Sequence, residues 1–338
     1  MRLRILLLVA LTGAAGCAPV MPPPPVDSGR DSASAVRSST DLVRRESRDA
    51  ATRALRERLL RRVRSAPGEV SVALVDLESG ATVGISDDVV MHAASTMKVP
   101  VLLELFRQAA EGRFALADSL PVRNAFTSIA DGSRYTLNED DDSEHELYRL
   151  VGGRLSRMEL ARRMITRSSN LATNLLIEEV GAAAVRRTMR ALGAAGMVVL
   201  RGVEDIPAYE REMNNTVTAR ALATTLVAIA RCERGDMARA LEPLVPADCL
   251  HITGILAEQE FRDRIPAGIP SGTRVANKTG WISGIAHDGA IVYPPERAPY
   301  VLVVLTRDIA EDSASVAVAR DLSAIAWSAL VESPPRGP

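Results

Sequence analysis

Glu69-Val70-Ser71-Val72-Ala73-Leu74-Val75-Asp76-Leu77, then Glu78-Ser79-Gly80, then Ala81-Thr82-Val83-Gly84-Ile85 is the stretch that decides the fold. Two runs of β-branched and aliphatic residues flank a polar turn ending in glycine, which predicts a hairpin. Helical periodicity then takes over at Thr96 to Ala110, Arg157 to Thr166, Asn170 to Val180, Ala183 to Leu192 and Thr218 to Arg231. Strand-rich sequence returns at Arg274 to Thr279, Ala286 to Tyr293 and Tyr300 to Thr306, and Ser313 to Val331 closes with a helix. Strands from both ends of the chain with helices between them predict an α+β fold. The expected architecture is an antiparallel sheet formed from N- and C-terminal segments with flanking helices, plus an inserted all-α domain.

Upstream of the hairpin, Asp41 to Arg64 sets Leu42, Val43, Leu55, Leu59, Leu60 and Val63 among arginines, the pattern of an amphipathic helix. Asp49 and Glu57 interleave with those arginines, so the basic face reads as solvated rather than lipid-bound. The remaining N-terminal sequence is a leader and a tether. Met1 to Arg4 is basic, Ile5 to Leu11 is apolar but too short to span a bilayer, and Ala14-Ala15-Gly16 precedes Cys17. Small residues ending at a cysteine resemble a bacterial lipobox, which makes Cys17 the expected lipidation site; simple cleavage is the alternative. Either route predicts export, as a periplasmic protein or a membrane-anchored lipoprotein. Pro19, Pro22 to Pro25 and the Ser/Ala stretch through Thr40 read as an extended tether. The expected divisions are a leader at 1–16, a tether at 17–40 and a catalytic domain at 41–335. Within that domain, 41–95 and 270–331 carry the sheet and 96–269 are mainly helical. Cys232 and Cys249 remain; an oxidising compartment permits a disulfide worth about 3 kcal/mol, and two unpaired core thiols fit the sequence equally well.

At 338 residues, with 47% hydrophobic and 25% charged residues, the composition is globular. A net charge of −1 and 3% aromatic residues supply neither field nor stacking platforms for nucleic acid, so no such partner is expected. All but two of the 41 basic residues are arginine; the lysines are Lys98 and Lys278. A guanidinium stays charged, whereas an ammonium can lose its proton and act as a base, or serve as a compact point charge. Those two positions are therefore where proton chemistry is to be sought.

Lys98 closes Ser95-Thr96-Met97-Lys98 at the start of an apolar helical run. Three-residue spacing puts the hydroxyl and the amine on one helix face. The helix N-terminus also offers backbone N–H groups to a developing oxyanion. Serine beside an amine whose pKa is lowered by burial is a competent nucleophile. Lys278-Thr279-Gly280 ends a strand and can present a cation, a hydroxyl and a close backbone to a carboxylate. Ser168-Ser169-Asn170, between two helical runs, offers a hydroxyl to relay a proton and an amide to hold a carbonyl.

In this order and spread, the three elements resemble the serine β-lactamase and penicillin-binding-protein superfamily, specifically its class A β-lactamase branch, over about Asp41 to Val331. The resemblance is extended by the tracts Asn170 to Leu176, Asn215 to Arg220 and Phe261 to Gly280. It implies that Ser95 is acylated, that Lys98 accepts its proton, and that Ser168 passes a proton to the leaving nitrogen. Asn170 would position the substrate amide, Lys278 and Thr279 its carboxylate, and Gly280 would let the strand approach closely. The backbone N–H groups of Ser95 and Trp281 would form the oxyanion hole. The implied substrate is a small-molecule β-lactam or a cell-wall peptide, and the implied state a monomer without cofactor. His92, His145, His251 and His287 lack ligand spacing, so no metal is expected.

Two departures stand out. Ser169 occupies a position where the family has Asp. The carboxylate that activates the deacylating water is also ambiguous. Counting from Arg201, taken as a loop anchor, gives Glu204, whereas the local pattern Glu210-Arg211-Glu212-Met213-Asn214 gives Glu210; Glu204 is preferred. Alternatives to a β-lactamase are a penicillin-binding-type peptidase or esterase with slow deacylation, and a non-catalytic envelope binding lipoprotein.

Overall fold

The computed structural model describes residues 49–332. The leader, Cys17 and the tether lie outside the described residues. Helix α1 (49–64) leads into strands β1 (Glu69–Asp76) and β2 (Thr82–Ile85), the expected hairpin. The C-terminal part supplies β3 (Arg274–Ile282), β4 (Ile285–Tyr293) and β5 (Tyr300–Arg307). These strands form one antiparallel sheet in the order β2-β1-β5-β4-β3, with Leu74 opposite Leu302 and Lys278 opposite Gly289. Between β2 and β3 run α2 (Lys98–Ala110), α3 (Arg157–Thr166), α4 (Asn170–Val180), α5 (Ala182–Ala191), a one-turn α6 (Ile206–Glu210), α7 (Ala219–Glu233) and α8 (Pro246–Ala257). Helix α9 (Asp312–Trp327) follows the sheet. The α+β architecture expected from the sequence is the one observed.

Both faces of the sheet are covered, which is why its strands read as nearly continuous apolar runs. Val70, Val72, Leu74, Leu302 and Val304 pack with Leu55 and Leu59 of α1 and Val318 and Leu322 of α9. The alternate residues Ala73, Val301, Val303 and Leu305 join a second core with Leu102, Leu175 and Leu222 of the helical part. This period-two division lets one sheet serve two cores.

The helix that sequence periodicity misses is α8. Its apolar residues go all the way round, with Ile252, Ile255 and Leu256 buried but Leu250 exposed, so no face stands out. Cys232 of α7 and Cys249 of α8 form a disulfide, with Cα atoms 5.9 Å apart. Ser156 caps α3 and Ser169 caps α4, each accepting a backbone N–H in the first turn, which fixes where both helices start.

Candidate active site

Ser95 lies in a 3-10 turn, Ala94–Met97, immediately before α2. Thr96 holds the turn by donating its hydroxyl to Ala93 O at 2.6 Å. Ala94 has a φ of 44°, and its N–H donates to His92 Nδ1 at 3.1 Å. Behind that turn, Thr306 N–H donates to His287 Nδ1 at 3.2 Å, so Nε2 carries the proton and donates to His92 O at 3.0 Å. Burial pushes His287 down to about 4, so it stays neutral and structural.

Lys98, three residues after Ser95, opens α2. Its buried ammonium donates to Ser168 O at 2.5 Å, Ser168 Oγ at 3.1 Å and Asn170 Oδ1 at 3.0 Å. Among the described residues no hydrogen bond joins that ammonium to Ser95; the backbone tie between the two residues is Lys98 N–H donating to Ser95 O. Lys278 approaches from β3, donating to the same Ser168 Oγ at 3.1 Å and to Thr279 O at 2.9 Å. Burial pushes Lys98 down to about 7, against the attraction of Asp142. Burial, and then the charge of Lys98, drive Lys278 well below the usual lysine range. Ser168 itself has a φ of 59°, an uncommon backbone state that aims its hydroxyl between the two lysines.

Gly280 is required by contact. A Cβ there would sit 3.1 Å from both Ser95 N and Thr96 N, so with any other residue β3 and the Ser95 turn would have to separate by a few tenths of an ångström. Thr279 is buried, and Trp281 is 54% exposed at the rim.

The loop from 201 to 215 is closed at its neck. Arg201 donates to Met213 O at 3.1 Å and Asn214 Oδ1 at 3.2 Å. Asn215 Oδ1 accepts from Leu200 N at 2.7 Å and Arg201 N at 3.1 Å. Ala93 N–H donates to Asn215 O at 2.9 Å, joining that neck to the Ser95 turn. Asn174, one turn beyond Asn170 on α4, accepts from Val203 N at 2.6 Å and donates to Val203 O at 3.0 Å.

This clamp turns Glu204 inward. Its φ is 60°, its Oε2 accepts from Asn138 N at 2.9 Å, and its Oε1 is buried without a partner among the described residues. Burial pushes the carboxyl up, opposed by the Asn138 N–H; Asp141 and Asp142 push further up, and the nearby Asn170 amide pulls down. Glu210 is exposed at the end of α6, so the local pattern that suggested it lies away from the site.

Three residues near this centre were not singled out from the sequence. Asn174 was within reach, since i and i+4 share a helix face with Asn170. Asp142, in a run of acidic residues, and Arg264, one of many arginines, carried no such signal. Arg264 is buried, pairs with Asp263 at 3.1 Å, leaves its Nε without a partner among the described residues, and adds positive field at Lys278 and Asp288.

Residues 53–330 match the model of the beta-lactamase enzyme family. The chain is 33% identical over 168 residues to a beta-lactamase of Streptomyces albus G, covering 49% of this chain and 51% of that relative. It thus spans about half the length of such curated relatives. The structure called PBP-A matches with a TM-score of 0.68 and 25% identity, over 82% of this chain and 96% of that one; a mutant of PBP-A that matches equally well is an acyl-enzyme complex with penicillin G. The beta-lactamase from Sphaerobacter thermophilus DSM 20745 matches with a TM-score of 0.68 and 25% identity, over 85% of this chain and 99% of that one.

Proposed function

The chain belongs to the beta-lactamase enzyme family, and on that premise we propose that it hydrolyses the amide of β-lactams through an ester on Ser95. The observation that carries this reading is the convergence of two buried lysines on Ser168 Oγ, each at 3.1 Å, beside the nucleophile turn. An amine with a pKa of about 7 is an effective proton acceptor at neutral pH. Ser95 Oγ attacks the lactam carbonyl carbon and its proton passes to Lys98. The C–N bond then breaks, and Ser168 delivers a proton to the departing nitrogen. Lys278, Thr279 and the field of Arg264 receive the substrate carboxylate, whose negative charge offsets the cost of a protonated Lys278 in its buried setting. Asn170 holds the acyl amide, and the N–H groups of Ser95 and Trp281 receive the oxyanion.

Hydrolysis of the ester needs a water and a base. Glu204 is assigned that role because its raised pKa and an Oε1 without a hydrogen-bond partner among the described residues suit a carboxylate that takes a proton from water. A second reading, a long-lived acyl-enzyme of the penicillin-binding type, is favoured by one feature: Lys98 spends its donors on Ser168 and Asn170, and Glu204 Oε2 is engaged by Asn138. Export through the leader, with Cys17 as lipid anchor, completes the proposal.

Mixing the purified protein with a chromogenic β-lactam and taking intact mass spectra over time separates the readings. Turnover with a transient adduct supports hydrolysis, and a lasting adduct supports the second reading. No turnover and no adduct would remove both. Ser95→Ala is expected to abolish every signal.

A further inference from the structure

Asp142 is distant in sequence from the site it touches, and it is buried. Its Oδ2 accepts the backbone N–H groups of Asn170 and Leu171, both at 2.9 Å, and the Tyr148 hydroxyl at 3.0 Å. Those are the first two N–H groups of α4, which otherwise lack intrahelical partners, so a full negative charge faces the positive end of the helix. Ser169, the N-cap of α4, reaches only Ala172 N, at 3.1 Å, and its Oγ lies 3.5 Å from Asp142 Oδ2. The segment carrying Asp142 is fastened beside the Ser168 loop: Glu144 accepts from Arg163 at 2.7 Å and Arg167 at 3.0 Å. Around this carboxylate the charged and titratable groups are Lys98, Tyr148 and Glu204, and Lys98 is faced in turn by Lys278.

We propose that Asp142 is a positioning residue, brought in from outside the three motifs to give the start of α4 the carboxylate that Ser169 lacks, and thereby to fix Asn170 and the field at Lys98. An aspartate at position 169 would place its charge on the same first turn, accepting from Leu171 N or Ala172 N, since Asp is among the strongest N-caps and an N-cap side chain accepts from the second or third N–H. The two positions are therefore alternatives for one slot, and each should make the other redundant. The kinetic arm of the test rests on the acylation reading above; the stability arm does not.

The test is a double-variant cycle of Asp142→Asn and Ser169→Asp in the full-length protein, read by melting temperature and by the pH dependence of acylation with a chromogenic β-lactam. Asp142→Asn should lower the melting temperature and slow acylation by ~10-fold or more. Loss of the negative charge should also move the acid limb of acylation to lower pH by about one unit. Ser169→Asp should destabilise the protein when Asp142 is present, because a second carboxylate then lies against Asp142 Oδ2, only 3.5 Å from the present Ser169 Oγ, at one helix start. In the Asp142→Asn background it should instead raise the melting temperature and restore acylation. This reversal of sign supports the proposal. The same effect in both backgrounds, with an unmoved acid limb, overturns it. If Asp142→Asn alone does not fold, recovery of folded protein in the double variant supports the proposal and failure to recover overturns it. If the unsubstituted protein forms no Ser95 adduct, the acylation reading falls and the melting temperatures alone decide.

Discussion

Lys98 and Lys278 donate to one acceptor, the hydroxyl oxygen of Ser168, at 3.1 Å each, although one comes from the first helix of the helical part and the other from an edge strand of the sheet. Two ammonium groups this close cannot both hold their protons comfortably when burial already disfavours charge. Burial lowers Lys98 to about 7, and burial with the charge of Lys98 drives Lys278 well below the usual lysine range.

Acylation should therefore carry an acid limb. Lys98 must be neutral to accept the Ser95 proton, and its pKa is lowered, so kcat/KM should rise with pH through about 7 and level off above it. Lys98→Arg keeps the charge but forbids the neutral form, and should cut acylation by ~10² to 10⁴ at every pH. Stopped-flow acylation across pH checks both statements; near-normal acylation by the arginine variant would remove Lys98 as the base.

Glu204→Gln and Glu210→Gln should part company. The first should slow deacylation by ~10² to 10⁴ and let the Ser95 adduct accumulate, leaving acylation nearly unchanged. The second, on an exposed side chain, should alter neither step. Mass spectra of the adduct during turnover distinguish them, and equal turnover in both variants would place the base elsewhere.

Gly280→Ala tests the close approach of β3 to the Ser95 turn. The added methyl meets Ser95 N and Thr96 N at 3.1 Å, so strand and turn must separate by a few tenths of an ångström. The expected result is a loss of acylation rate of ~10-fold or more with little change in folding, because misplacement of reacting groups costs rate steeply. Acylation kinetics beside a thermal melt are the check.

Replacing Cys232 and Cys249 by serine should lower stability by about 3 kcal/mol, the effect of opening a cross-link that closes a loop of this size. The disulfide joins α7 to α8, and neither cysteine is a hydrogen-bond partner of Lys98 or Lys278, so acylation should survive. Urea unfolding of the oxidised and substituted proteins measures the difference.

The fold was legible where one physical signal dominated. β1, β4 and β5 announce themselves because both faces of the sheet are buried and every position is pressed toward an apolar residue. α3 and α4 begin within a residue of a serine cap that can be read directly. α8 hides because its apolar residues have no preferred side. In the site, the two lysines stood out against a background of arginine, and their motifs fixed the order of the machinery. Asp142 and Arg264 were invisible for the opposite reason: each is one of many like residues, and only the tertiary fold brings it in. Counting from Arg201 favours Glu204 over Glu210, but the local conformation of Glu204 cannot be read from the sequence. That conformation rests on a left-handed backbone at Glu204 and on Asn174 clamping the residue before it.

The loop that bears Glu204 carries its own fastenings. Arg201 and Asn215 tie its two ends to each other, and Asn174 holds its near side, while Ser95, Lys98, Ser168 and Lys278 all lie outside it. A segment closed at its neck in this way can change length and content provided its ties to Ala93, Asn138 and Asn174 are kept. On the proposed reading, ester formation and ester release are written in separable stretches of chain, and the interval between them, the lifetime of the acyl-enzyme, is the property most open to change by exchanging one cassette of some fifteen residues.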